Sequence, residues 1–250
     1  MKSLPILFLT IAAMFVPVHL HAATLDDAHR AFAEGKYSES TQDYQAVLAK
    51  NGYSAPVLFD LGNSLFREGN LAKAILAYKR AQFLAPDDPD IAANLQYAQK
   101  QAGVAVAEPQ WSDKLTSILS ESGWAWVGFA AWSVFCLSFF LRRFLPQKRS
   151  LFSLSSVVAA LVLATAIAAI IISFRELRQA VVVEKNAAFL ISPFPAAQPA
   201  FKPAAGETVT VQKAYNDFLL VTDAAGHSGW IGKAQVEPVI ETHSGPAIGS

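Results

Sequence analysis

Three stretches of this chain carry no polar rhythm. They are "LPILFLTIAAMFVPV" (4–18), "GWAWVGFAAWSVFCLSFFL" (123–141) and "LFSLSSVVAALVLATAIAAIIISF" (151–174). Between them, from Thr24 to Ala102, apolar residues recur at helical spacing. From Ala180 the period changes to two, with turn residues between the runs. A period near 3.6 predicts amphipathic helices, and a period of two predicts half-buried strands. The pattern alone predicts a multidomain chain: an all-α part, two long apolar helices, and a small all-β part.

The first apolar run follows Lys2 and precedes "LHAA", which offers cleavage after Ala22 or Ala23. This is the layout of a secretory signal peptide, assigned here to residues 1–22. An uncleaved anchor is the competing reading, although the run is shorter than the ~20 residues a span needs. No Cys lies near the cut, which speaks against a lipoprotein. Both readings carry residue 24 onward out of the cytoplasm.

The other two runs hold no charge and are long enough to cross a hydrocarbon core of about 30 Å at about 1.5 Å per residue. They predict transmembrane helices at 123–145 and 151–174. Trp124 and Trp126 suit a bilayer interface. The joining loop, 142–150, holds Arg142, Arg143, Lys148 and Arg149 and no acid. Short loops rich in Lys and Arg stay in the cytoplasm, so these four charges are read as topology-determining. The chain then forms a two-pass hairpin in the inner membrane, with both outer parts in the periplasm. Ser156, Ala160, Ala164 and Ala168 fall four apart and form a small-residue stripe for helix packing. Packing on the hairpin partner is the first expectation, and contact with another membrane protein is the alternative. Before the hairpin, 103–122 is a linker followed by an amphipathic segment around Trp111, Leu115, Ile118 and Leu119. It either lies on the membrane surface or begins the first span.

Within 24–102 the pattern repeats. Gly35 and Gly69, Phe32 and Phe66, Ala28 and Gly62, Tyr44 and Tyr78, and Val47 and Ala81 are all 34 residues apart. With Leu61–Gly62, the Ala74–Tyr78–Ala81 set and Pro86, this resembles the tetratricopeptide repeat, a helix–turn–helix unit of that period. Gly69 fits a turn at positive φ. In the first unit, Ser40 stands where the second has Ala74, and Thr24-x-x-Asp27 offers a capping box. A segment from Pro89 resembles a third first-helix and serves as a cap. Two units and a cap are marginal alone, so help is expected from a partner, from self-association or from the membrane-proximal segment.

The resemblance implies a concave peptide-binding surface on the first helix of each unit. It places Phe59, Asn63, Phe66, Arg67, Asn94 and Tyr97 there. An Asn amide can bond a backbone C=O and N–H together, and Arg can pair a carboxylate. The competing reading makes the Phe pair core and leaves Asn63 and Arg67 merely solvated. On the groove reading, alanine at Asn63 and Arg67 weakens partner capture without lowering thermal stability.

Beyond the hairpin, Val181–Val183, the Gly206–Glu207 turn, Val209 and Val211, Phe218–Val221 and "GHSGWIG" leading to "AQVEPV" resemble a bacterial SH3-like barrel over 179–240. The Pro-rich "PFPAAQPAFKPAAGE" is expected to be a long loop. Tyr215, Phe218 and Trp230 are the aromatic candidates for its binding surface, toward a proline-rich peptide or peptidoglycan. Filling a small core is their other reading. The tail, 241–250, is expected to be disordered.

The chain holds 20 Lys+Arg and 20 Asp+Glu, which removes the global field that nucleic-acid binding calls for. Its single Cys, Cys136, forbids an intramolecular disulfide. His29, His227 and His243 stand apart in sequence, and no Walker loop, G-x-S-x-G or metal-ligand spacing occurs. No cofactor and no catalysis are expected. Asp87, Asp88 and Asp90 are expected to be helix N-terminal charges. The order of parts resembles the BatE-type proteins of the Bacteroides aerotolerance operons. That resemblance implies a scaffold beside membrane proteins with von Willebrand factor A domains, linked to a MoxR-type ATPase. An envelope sensor binding cell wall through the SH3-like part is the alternative.

Overall fold

A computed structural model of the chain describes residues 24–104, 119 and 121–240. The signal peptide, most of the amphipathic segment and the tail lie outside the described residues.

Five helices come first: α1 (Leu25–Ala33), α2 (Tyr37–Asn51), α3 (Ala55–Arg67), α4 (Leu71–Leu84) and α5 (Pro89–Ala102). The expected capping box opens α1. Thr24 Oγ1 accepts from Asp27 N–H at 3.2 Å, and the Asp27 carboxylate accepts from Thr24 N–H at 3.2 Å. Gly35 and Gly69 close the α1–α2 and α3–α4 turns at φ +76° and +83°. Asp88 caps α5 by accepting from Asp90 and Ile91 N–H.

The irregular position of the first unit has a specific role. Ser40 is fully buried, and its hydroxyl donates to Ala28 O and lies 3.0 Å from Ser64 Oγ. Ser64 in turn donates to Asp60 O. A buried hydroxyl is tolerated when it is hydrogen-bonded, and here one pair of serines ties α2 to α1 and α3.

Two long helices follow, Glu121–Phe144 and Arg149–Glu176, both long and apolar enough to cross a membrane. The basic loop is shorter than expected. Arg142 and Arg143 are in the last turn of the first helix, and Arg149 begins the second. Only Leu145 and the 3₁₀ turn Pro146–Lys148 lie between them. Cations are favoured at a helix C-terminus, and Pro146 stops the helix because it has no N–H to give. All four charges are exposed at the hairpin tip.

The hairpin does not pack through the expected stripe. Ala160, Ala164 and Ala168 are exposed, and Ser156 bonds back to Phe152 O. The buried seam is Ala159, Ala166 and Ala169, with Ser138 and Ser155 bonded across it at 3.0 Å. Trp124 covers Ala166 and Ala169. A stripe spaced by four drifts around a helix of 3.6 residues per turn, and the seam needs mixed steps of three and four.

The C-terminal part is one antiparallel sheet of seven strands, ordered β3-β2-β6-β5-β4-β1-β7. These are β1 (Gln179–Val182), β2 (Phe189–Leu190), β3 (Pro199–Phe201), β4 (Thr208–Tyr215), β5 (Phe218–Asp223), β6 (Ser228–Gly232) and β7 (Val236–Pro238). The Pro-rich stretch is not all loop, since it contains β3. Pro199 is tolerated there because β3 ends the sheet order and needs no second ladder.

One hydrophobic core joins the helices to the sheet. Val181 and Val239 lie in the same buried cluster as Leu58, Ile75, Tyr78 and Leu95. A second, smaller core of Val182, Phe189, Val209, Val221 and Ile231 lies within the sheet. Gly206, at φ +95°, lets the chain pass under α4; a Cβ there would sit 2.6 Å from Ile75 Cδ1. Arg80 donates to the carbonyls of Pro238 and Val239, and Lys79 Nζ donates to Gln179 Oε1. The help that two repeats require thus comes from the chain's own sheet, a source the pattern of either part did not reveal.

Ile75→Ala is expected to cost about 2–5 kcal/mol, the range for emptying a buried aliphatic site. Because the core is shared, amides of both α4 and β1 should lose hydrogen-exchange protection together in the purified full-length protein. Retained protection in β1 would show that the two parts are independent.

Candidate functional site

The first-helix face of the repeat brings its predicted residues together. Asn63 Oδ1 accepts from the Tyr78 hydroxyl at 2.7 Å and from Asn94 Nδ2 at 3.0 Å. Phe59 lies against Tyr78 with ring centroids 5.9 Å apart and is half-buried. Phe66 meets Tyr97 at 5.4 Å, and Tyr97 is 55% exposed. Arg67 is turned toward the first unit. It donates to Tyr37 Oη at 3.2 and 2.9 Å and stacks over that ring at 5.2 Å. The outward part of this surface is therefore Arg67, Tyr37 and Tyr97, while Asn63 is anchored from below.

Anchoring changes what Asn63 does. Tyr78 is buried, and burial with the nearby Asp60 carboxylate pushes its hydroxyl pKa up. The neutral hydroxyl needs an acceptor, and Asn63 supplies it. Gly62 makes room for the same ring, since a Cβ there would lie 2.5 Å from Tyr78 Cε1. Tyr44, the equivalent residue in the first unit, is likewise pushed up to about 12 by burial and then by Asp60. Asp60 also meets His29 Nε2 at 3.2 Å, so that histidine does not stand alone.

The opposite face holds a feature that sequence reasoning missed. A cleft of about 740 Å³ runs between α2 and α4 over α3. Leu48, Leu61 and Leu76 are in its wall, with Lys73, Arg80 and Glu237 among its polar lining residues. Its leucines recur at the helical spacing that reads as packing alone. The cleft is lined from α2, α3, α4 and β7, elements that no local pattern brings together.

On the sheet, Tyr215 and Phe218 flank the β4–β5 turn and pair across it. Trp230, on β6, approaches Tyr215 with centroids 6.3 Å apart. Tyr215 is 46% exposed, and Phe218 and Trp230 are half-buried. Ile191 and Phe194, on the β2–β3 connection, are more exposed than any of these, and the Pro-rich composition around them concealed that. His227 has partners too: its Nδ1 lies 2.7 Å from Asp223 Oδ2, its N–H donates to Asp223 Oδ1, and its ring stacks on Phe201. The pair fastens the β5–β6 turn. No cluster of three or more metal-ligating side chains occurs among the described residues.

Residues 31–96 match the tetratricopeptide repeat family. The match covers the repeat part, with its glycine turns and paired helices, and supports a protein-interaction module there. No curated protein and no solved structure matches the chain.

Asn63→Ala should strand the Tyr78 hydroxyl and lower stability by about 1–3 kcal/mol, the cost of an unsatisfied buried group. That reverses the expectation of unchanged thermal stability. Adding Tyr78→Phe should recover part of the loss, and thermal unfolding of the three variants tests this.

Glu207 accepts from Ala204 N–H beside the shared core, and burial raises its pKa. A carboxyl raised in the folded state favours folding while protonated, and that contribution is lost as pH rises through the folded pKa. Glu207→Gln should therefore raise the melting temperature at neutral pH, with the gain vanishing below the ordinary carboxylate range. An equal gain at every pH would refute the assignment.

Proposed function

We propose that the chain is a membrane-anchored scaffold that presents a tetratricopeptide module and an SH3-like module on one side of a bilayer. The observation that carries this reading is the shared core. The helices precede the apolar hairpin and the sheet follows it, yet Ile75, Val181 and Val239 pack together. Two parts in contact lie on the same side of any layer the hairpin crosses, which agrees with a two-pass topology. The long helices expose Trp126, Phe129, Leu137, Phe139, Leu154 and Leu161, a surface that water penalises and lipid accepts.

The exposed charges at the hairpin tip favour a cytoplasmic loop and periplasmic modules. The order of parts, with its resemblance to the BatE-type proteins, supports membrane-protein partners with von Willebrand factor A domains. The outward residues of the repeat, Arg67 and Tyr97, suit capture of a peptide segment bearing a carboxylate and an apolar side chain. Tethering modules to one membrane raises the effective concentration of partners in it, so modest affinities suffice. The reading assigns the chain no catalytic step and no cofactor.

In-cell crosslinking of the full chain, followed by mild-detergent purification and mass spectrometry, tests the proposal. A defined set of membrane proteins should co-purify, and Arg67→Glu with Tyr97→Ala should remove at least one of them without changing thermal stability. Recovery of cell-wall fragments alone would overturn it in favour of wall binding by the sheet.

A further inference from the structure

Leu177 and Arg178 alone separate Glu176, the end of the second long helix, from Gln179, the start of β1. At most about 3.6 Å per residue, Gln179 lies within about 11 Å of that helix end. Two elements run past Gln179 in the direction opposite to β1.

The first is β4. It is antiparallel to β1, pairing Thr210 with Gln179 and Thr208 with Val181. Val211 N–H donates to Arg178 O at 2.9 Å. The strand then continues to Tyr215 and turns at Asn216, at φ 46°. At about 3.3 Å per residue, the hairpin tip projects roughly 13 Å beyond Arg178.

The second is α4. Ala72 and Ile75 lie beside Gly206, whose N–H donates to Val182 O, while Lys79 reaches Gln179. This helix is therefore antiparallel to β1 as well. It continues from Lys79 to Leu84, about 7 Å at the helical rise. Both projections end in large exposed apolar side chains: Phe83 at 43%, Leu84 at 47% and Tyr215 at 46%, with Trp230 against Tyr215.

We propose that Phe83, Leu84, Tyr215 and Trp230 form a footprint that rests in the headgroup layer of the phospholipid bilayer. The proposal rests on the membrane-spanning reading of the hairpin given above. Connectivity carries it: the bilayer from which β1 emerges is the surface these side chains meet. Amphipathic rings and short apolar side chains favour that layer. The footprint holds the helix–sheet body at a fixed tilt and keeps Tyr215 and Trp230 from serving as a peptide groove.

The test uses full-length protein carrying Cys136→Ser, reconstituted in phosphatidylcholine vesicles. Single spin labels are placed through Leu84→Cys, Asp217→Cys, Ala225→Cys and Ala168→Cys. Collision with oxygen against a water-soluble nickel complex reports depth. The Ala168 site should report hydrocarbon and the Ala225 site, on the opposite turn of the sheet, water. Leu84 and Asp217 sites should fall between, at headgroup depth. Adding Phe83→Ser and Tyr215→Ser should move the Asp217 label to the value at Ala225. Water-like Leu84 and Asp217 labels with a hydrocarbon-depth Ala168 label would overturn the footprint and leave the spanning reading intact. A water-like Ala168 label would overturn both.

Discussion

The contact between α4 and the β1–β7 edge of the sheet is the constraint on which the rest of the structure depends. Each helical unit buries its apolar face only on a neighbour, and two units leave one face of the array without one. Val181 and Val239 supply that neighbour, with Ile75 passing over Gly206. Arg80 satisfies the carbonyls of Pro238 and Val239, so the edge beside β7 is closed without a further strand. One contact thus completes two modules that are each small for independent stability. It also fixes the direction of α4 relative to β1 and β4.

The repeat surface shows how packing and recognition compete for the same side chains. Asn63 has the chemistry to hold a peptide backbone, but its oxygen is engaged by Tyr78 and Asn94. A buried tyrosine hydroxyl outranks an external ligand, because leaving it unpaired costs stability in every molecule. On the proposed reading, recognition falls to residues farther out, where Arg67 is ordered by Tyr37 and Tyr97 by Phe66. A guanidinium held on a ring is pre-organised and loses less freedom on pairing a carboxylate. The α2–α4 cleft gives the same module a second concave face of different character.

In the hairpin, the polar contribution is small and local. Ser138 and Ser155 bond across the seam, where backbones approach closely over alanines. Gly128 faces the same seam, but a Cβ there would meet Ala166 at ordinary contact distance, so the approach does not require a glycine. Ala160, Ala164 and Ala168 of the stripe are left on the outer surface of the hairpin.

Much of this was legible in the sequence because it is periodic or local. The 34-residue repeat, the glycine turns, the Thr24 capping box and the two apolar helices follow from spacing, backbone conformation and length. The strand positions followed from alternation, and β3 was missed because proline content outweighs pattern where an edge strand tolerates it. What tertiary structure alone decided lies between segments distant in the chain. The meeting of Ile75 with Val181 and Gly206, the α2–α4 cleft, the choice of seam in the hairpin, and the pairing of His29 with Asp60 are of this kind. Their apolar and charged members look the same in sequence whether they face solvent, lipid or one another. Burial is a property of the partner surface as much as of the residue, and only the folded chain brings that partner into place.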